Sequence, residues 1–491
     1  MTKMSYKEYL AIVDDVIEKG KYKDNWESLS EHTTPAWYKK SRFGLFVHWG
    51  VYSVPAYVNE WYPRSMYVKT ERTRAHHEAK YGSDFEYRQF IDMFNPTEFD
   101  ADKWADLFAR SGARYIMPVG EHHDGIKMYK SDLNRWNMAD LKGHDYMLEL
   151  KQAFEKKGME FLCSYHRAEH YWFFNGARKY YPESEAIRND DYRDLYGPCY
   201  LPSTGNIWRT DKEIHADKEF LEDWLATGAE FIDKLQPSAI YLDWWVQKKE
   251  FKPYLKKLLA YYYNRALEWG KEVTLFYKWG AVMNGCATFD VERGQVDGIL
   301  PDLWQNDTAI AKNSWGYTEN NSFKTPADLV RNLIDVVSKN GCFMLNVGPK
   351  PDGSITEEET NVLLEIGKWM SVNGEAIYDA DVSELGYGEG KVSRGNGAFK
   401  DSKRYGDKDY RFTYKTGAFY VFPMTKKSKD TFKIKSLRHS NEGGIRYAIE
   451  NVEILGYNGR VTYEQTEQAL VVHTSAKVDN TMPICIKVSV D

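Results

Sequence analysis

The stretch YIMPVGEHHDG (residues 115–125) decides the fold. An apolar run with no polar break stops abruptly in Glu121, His122, His123 and Asp124. A strand apolar on both faces belongs to a parallel sheet covered on both sides. Short runs of the same kind recur as FGLFVHWG (43–50), FLCSYH (161–166), AIYLDWW (239–245), VTLFYKW (273–279) and CFMLNVGP (342–349). Between them lie helical segments: KWADLFARSG (103–112), DYMLELKQAFEKKG (145–158) and TPADLVRNLIDVVSKNG (325–341). The last opens on Thr325 as N-cap with Pro326 in the first turn, and Gly341 closes it. Strand and helix thus alternate over roughly 350 residues. A chain this long, with no GxGxxG after a strand, favours a closed (β/α)₈-like TIM barrel over a doubly wound sheet.

Beyond about residue 385 the periodicity changes. YRFTYKTGAFYVF (410–422), VEILGYNGRVTY (452–463), ALVVHTS (469–475) and ICIKVSV (484–490) alternate apolar with polar residues, as half-buried antiparallel strands do. Asn458-Gly459 reads as a hairpin turn. The chain therefore divides into a catalytic barrel with an N-terminal helix (1–385) and a C-terminal antiparallel β-sandwich (386–491), joined within the glycine-rich stretch 386–397. The sandwich shows no tryptophan platform and reads as a packing partner for the barrel.

Bulk properties narrow the function. Among 491 residues, 15% are aromatic, sixteen of them Trp, which suits a large core or a flat ligand such as a sugar ring. A formal charge of −6 with both signs interspersed forms no basic stripe, which argues against nucleic acid and for a neutral substrate. Five scattered cysteines (Cys163, Cys199, Cys286, Cys342, Cys485) follow no CxxC or metal-ligand spacing. The N-terminus lacks the apolar core of a signal peptide and no run of eighteen apolar residues occurs, so a cytoplasmic, non-membrane protein is expected. Homo-oligomerisation is left open.

In a TIM barrel the active site forms where the strands end. Those ends carry His48-Trp49, Glu121 to Asp124, Tyr165-His166-Arg167, Asp243-Trp244-Trp245 and Tyr277-Lys278-Trp279. Three chemistries suit such a mouth. A metal hydrolase would use His48, His122, His123 and Asp243, but adjacent His122 and His123 chelate one ion only if the strand has ended before them. A binding module would use the same aromatics without chemistry. A glycosidase needs two carboxylates flanking the anomeric carbon. Asp243, at the rim of a core, is the sharpest candidate for one of them. For the other, Asp290, Glu292, Asp297, Asp302 and Asp307 are equally available by spacing.

Several long motifs in order resemble the α-L-fucosidases of glycoside hydrolase family 29. They are FGLFVHWGVYSVPAYVNEWYPRSMY (43–67), HHDG with SDLNRWNMAD (131–140), AIYLDWW, NSWGYTEN (313–320), LNVGPKPDGSI (345–355) and WMSVNGEAIY (369–378). The resemblance spans about residues 30–380 and implies a retaining, exo-acting enzyme that releases terminal α-L-fucose from a fucosylated oligosaccharide or glycoconjugate through a covalent intermediate. It implies no cofactor and no metal. Asp243 corresponds to the nucleophile, and His48, His122 and His123 to groups gripping the sugar hydroxyls. Glu60 and Trp61 correspond to the pair beside them, Tyr165 to a tyrosine near the nucleophile, and Trp315 to the aromatic wall around the C6 methyl. Lys278 stands where many members carry Arg, which replaces a planar fork by a point charge. For the general acid/base the resemblance favours Glu292 of FDVERGQ, with Asp290 and Glu319 as alternatives. Histidines titrate near neutrality, so His122 and His123 are expected to shape the pH profile.

Overall fold

The computed structural model describes residues 4–68, 71–177, 192–200, 203, 210–390, 405–440 and 444–491. Nine strand segments form a closed parallel sheet: β1 (Phe43–Val47), β2 (Tyr115–Glu121), β3 (Glu160–Phe161), β4 (Cys163–Tyr165), β5 (Ala239–Leu242), β6 (Thr274–Lys278), β7 (Thr288–Glu292), β8 (Trp304–Ala309) and β9 (Gly341–Val347). Both β3 and β4 pair with β2, one below the other, so they make a single stave and the barrel has eight. Pairing of β1 with both β9 and β2 closes it. Helices such as Lys218–Leu235, Lys252–Trp269 and Pro326–Ser338 cover the outside.

Every residue of β2 and β9 is buried, as a strand apolar on both faces requires. Alternation then decides which layer each side chain enters. Phe46, Met117, Leu162, Tyr241, Phe276 and Met344 meet inside the barrel over Tyr38 and Tyr115. The intervening residues, including Cys163 and Tyr165, join the larger core between sheet and helices. Thr325 caps the helix Pro326–Ser338 by accepting from the Asp328 N–H, as the sequence predicts. The helix closes differently: Asn340 takes the left-handed conformation (φ 71°), and Gly341 begins β9. A Cβ on Gly341 would lie 2.5 Å from Val336 and 2.7 Å from Trp304, so glycine is there for close packing.

The C-terminal part forms two antiparallel sheets, one of β10 (Gly388–Glu389), β11 (Tyr410–Lys415), β12 (Ala418–Pro423), β14 (Ile449–Ile454) and β17 (Ile486–Val490), the other of β13 (Lys429–Ile434), β15 (Val461–Gln465) and β16 (Leu470–Val478). Their facing apolar residues make a separate core. Asn458-Gly459 is not a hairpin turn: β14 pairs with β17 and β15 with β16, so this connection crosses between sheets. Its left-handed residue is Gly456 (φ 74°). The sandwich docks on the barrel's last helices. Arg331 donates to the carbonyls of Met424, Thr425, Asn480 and Thr481, and Trp369 Nε1 donates to Pro483 O. Of the glycine-rich stretch assigned to the domain boundary, residues 391–397 lie outside the described residues. Among the described residues no helix is long and apolar enough to cross a membrane, and all five cysteines are buried thiols.

Candidate active site

Period-two alternation carries the interior layer straight into a pocket at the strand ends. Two residues beyond Phe46, Tyr241, Phe276 and Met344 stand His48, Asp243, Lys278 and Asn346. Leu162 leads in the same way through Ser164 to His166, and Asp290 leads to Glu292. Most of these strand-end groups, with Glu60, Trp61, Trp244, Arg293 and Trp315 from the connecting loops, line a cavity of about 540 Å³, within the range of small-molecule sites.

The charged centre is one ammonium between two carboxylates. Lys278 Nζ donates to Asp243 Oδ1 and to Glu292 Oε2, each at 2.6 Å. These two oxygens therefore lie no more than about 5.2 Å apart, twice that length. Trp244 Nε1 donates to the same Glu292 Oε2 at 2.7 Å, leaving Oε1 to meet a ligand. On the other side of Asp243, Oδ2 faces His123 Nε2 at 3.3 Å and His166 Nδ1 at 3.5 Å. Burial opposes ionisation of Asp243, but the Lys278 charge and these imidazoles hold its carboxyl well below the usual range. Against its own burial, Lys278 is held above the ordinary lysine range by Asp243 and Glu292.

A second acidic layer lies beneath. Tyr241 OH donates to Asp307 Oδ2 at 2.9 Å, and Gln305 Nε2 to Asp290 Oδ1 at 3.0 Å. Burial and the neighbouring Asp307 raise Asp290 well above the carboxylate range. Burial likewise pushes Asp307 up to about 7, with Lys278 pulling against it. Four carboxyl groups thus surround one cation, and burial favours the protonated form of Asp290 and Asp307.

Three of the imidazoles, His48, His122 and His166, are built to offer polar nitrogens while staying neutral. Asn346 donates through Nδ2 to Trp315 O (2.6 Å), so its Oδ1 accepts from His48 Nδ1 (2.6 Å), and His48 Nε2 is left as an acceptor. Burial holds His48 and His122 well below the usual histidine range and lowers His166 to about 4. His122 therefore does not titrate near neutrality, contrary to the sequence expectation. His123 is aimed from behind, its Nδ1 donating to His166 O at 3.0 Å. The strand has ended at Glu121, which is why adjacent His122 and His123 both reach the pocket. Glu121 anchors that end by accepting from Arg167 (2.6 Å) and pairing with Lys127 (3.1 Å), all three buried. Gly125 turns the chain at φ 77°, where a Cβ would meet the His170 ring at 2.5 Å. Potential metal-ligand atoms lie within 4.8 Å of one another in His48–His122–His166 and in His123–His166–Asp243. The two adjacent histidines fall in different sets.

A buried carboxylate pair at the mouth of a (β/α)₈ barrel fits glycoside chemistry, and the sequence model of the alpha-L-fucosidase family matches residues 9–375. The chain belongs to that family. It is 29% identical to the tissue alpha-L-fucosidase of Rattus norvegicus over 375 residues, 73% of this chain and 72% of that protein. It is 29% identical to the plasma alpha-L-fucosidase of Homo sapiens over 372 residues, with the same coverage. The crystal structure of Thermotoga maritima alpha-fucosidase in complex with fucose superposes with a TM-score of 0.73 at 26% identity, covering 95% of this chain and 100% of that one. This fucosidase is accordingly a glycoside hydrolase acting on fucosylated glycans.

Of the residues singled out from the fucosidase sequence, His48, Glu60, Trp61, His122, His123, Asp243, Lys278, Glu292 and Trp315 all line the cavity. Glu60 is fixed by Ser314 Oγ and the Trp315 N–H, both donating to Oε2 at 2.9 Å. Trp315 stacks on His48 with ring centroids 5.2 Å apart. Tyr165 is the exception. Strand parity turns it outward, its hydroxyl donates to Trp224 O (2.8 Å), and its ring packs on Phe231. His166, one residue on, faces Asp243 instead. Among the acid candidates, Asp307 lines the cavity beside Glu292 but is held by Tyr241 OH, Asp290 lies one layer below, and Asp297, Asp302 and Glu319 are not among the lining residues. Sequence reasoning placed His166 and Trp244 at strand ends without giving them a role, and it missed Asn346. Counting inward positions by twos would have found His166 and Asn346; nothing in the sequence marks the Trp244–Glu292 bond.

Proposed function

We propose that the fucosidase is exo-acting and retaining, hydrolysing terminal α-L-fucose through a covalent fucosyl-enzyme intermediate. Asp243 attacks the anomeric carbon while Glu292 protonates the departing glycosidic oxygen. Glu292 then takes a proton from water, and that water releases fucose from Asp243 with the original anomeric configuration. One observation carries the reading: the oxygens bridged by Lys278 lie within about 5.2 Å of each other. Retaining pairs stand ~5–5.5 Å apart, whereas inverting pairs leave ~6.5–9.5 Å for a water.

The surrounding groups suit a 6-deoxy sugar. The neutral nitrogens of His48, His122 and His166 can exchange hydrogen bonds with ring hydroxyls, and Trp315 with Phe46 offers an apolar face to a methyl. That face gives the C6 hydroxyl of galactose no partner, a mismatch that discriminates against it. Lys278 offsets the charge of Asp243 in the free enzyme and again as the carboxylate re-forms. The reading needs no cofactor and no metal ion.

The test is hydrolysis of aryl α-L-fucoside, β-D-galactoside and α-D-mannoside by wild type, Asp243→Ala and Glu292→Ala. Selective fucoside turnover is expected, reduced more than about a thousandfold in Asp243→Ala. Azide should rescue that variant as the inverted β-fucosyl azide, and Glu292→Ala as the retained α-azide. Rescue with the opposite stereochemistry, or none in either variant, would sink the assignment.

A further inference from the structure

Immediately outside the pocket, one tryptophan is displayed where a core residue would be hidden. Trp279, the first residue after β6, is 62% exposed. A single exposed apolar residue is unremarkable by itself, but this one is held in place at a conformational cost. Its φ is 48°, in the left-handed region that a bulky side chain occupies at roughly 1–3 kcal/mol. The following carbonyls of Gly280 and Ala281 are pinned by the Lys252 ammonium. The indole stands edge-on to Trp244, centroids 4.8 Å apart at 89°, and Trp244 in turn donates to Glu292 Oε2. Ala56, Val58, Trp245 and Arg293, each in a loop that follows a barrel strand, also have positive φ, as do Arg42, Gln236 and Asn340 ahead of strands at the opposite end.

We propose that Trp279 is the platform of a leaving-group subsite, on which the pyranose ring bonded to fucose stacks. This rests on the assignment of Glu292 as the acid. An acid that protonates the glycosidic oxygen stands on the leaving-group side of the scissile bond, so the next sugar begins beside Glu292. Trp244 occupies the first contact there, and Trp279 continues outward from it, its face open to solvent. A neutral pyranose presents axial C–H groups that pack on an aromatic face, whereas a flexible aliphatic or small inorganic leaving group gains nothing from it. Met283, 55% exposed, lies four residues on in the same loop.

The experiment compares α-L-fucosyl fluoride, whose leaving group has no ring, with fucosyl-galactose and fucosyl-N-acetylglucosamine disaccharides of the 1,2, 1,3, 1,4 and 1,6 linkages. In Trp279→Ala, kcat/KM for the best disaccharide should fall about tenfold, mainly through KM. Fucosyl fluoride should change by less than about twofold, and Trp279→Tyr should recover most of the disaccharide rate. Equal losses on fluoride and disaccharide would overturn the proposal, because the residue would then act on the catalytic centre. Unchanged disaccharide kinetics, wild-type inability to use any disaccharide, or a shift of oligomeric state in sedimentation with no kinetic selectivity would overturn it as well. Failure of the wild type on fucosyl fluoride itself would instead refute the fucosidase mechanism beneath it.

Discussion

Replacing Lys278 by Met, which keeps the length and removes the charge, breaks two buried contacts at once. The side chain is 4% exposed, and each contact is 2.6 Å long. At an effective dielectric of about 20, each is worth ~6 kcal/mol of Coulomb attraction, largely offset by the desolvation of three ions. The loss is therefore set by what remains, a pair of buried carboxylates without a counter-ion, and should be about 3–5 kcal/mol at pH 7.5. Its pH dependence has a definite sign. Lys278 helps depress the folded Asp243 pKa, so its stabilisation is fully present above the unfolded value near ~4 and fades only as pH falls through the lower folded value. The variant's carboxyls can escape by taking up protons as pH falls. Melting curves of wild type and Lys278→Met should thus differ by several degrees at pH 7.5 and by less at pH 4.5, with Lys278→Arg recovering much of the loss. Activity of Lys278→Met should fall, and the acid limb of its kcat/KM profile should move to higher pH. Melting points within a degree of each other at both pH values, with an unchanged profile, would refute the reasoning.

Other parts of the structure make independent claims. Asp307 has a folded pKa raised to about 7, so its burial costs stability increasingly as pH rises from its unfolded value near ~4 to that point. Asp307→Asn should therefore gain on wild type by about 2–4 kcal/mol at pH 8 and nothing at pH 4, measured by thermal unfolding. Burial holds His48 and His122 neutral, so His48→Gln and His122→Gln should each lose roughly 10–100-fold in kcat/KM while keeping wild-type limbs between pH 5 and 8. Arg331→Ala removes donors from four carbonyls of the sandwich. It should lower the melting point by several degrees and leave the kcat of folded enzyme at 25 °C within about twofold.

The barrel was legible because six of its eight staves carry a doubly buried apolar run, whereas β7 (TFDVE) and β8 (WQNDTA) carry acidic and amide side chains and give no such signal. The site was legible because those runs end in polar groups. Asp243, Lys278 and His48 follow from reading the end of the run and stepping by two from Tyr241, Phe276 and Phe46. The same step exposes why Tyr165 misled: it is an outward position, and its neighbour His166 is the inward one. The choice among the acids of residues 290–307 was hidden from spacing because it depends on register. Glu292 and Asp307 are register partners across β7 and β8 and both line the pocket, yet Lys278 and Trp244 bond Glu292 while Tyr241 bonds Asp307. The crossing at Asn458-Gly459 was hidden for a related reason, since a turn dipeptide fixes local geometry and not which sheet the chain enters next. The Trp244–Glu292 bond joins residues 48 positions apart, and no local pattern records it.

The most direct test of the mechanism is the intact mass of wild-type protein after brief incubation with 2-deoxy-2-fluoro-α-L-fucosyl fluoride, followed by peptide mapping. Fluorine at C2 destabilises both oxocarbenium-like transition states, and the fluoride leaving group lets the first step proceed, so the intermediate accumulates. The account predicts one fluorofucosyl adduct per chain, located on Asp243, with activity returning as it hydrolyses. An enzyme that turns over fucosides but acquires no adduct, or acquires it on a different carboxylate, would contradict the assignment of Asp243 as nucleophile.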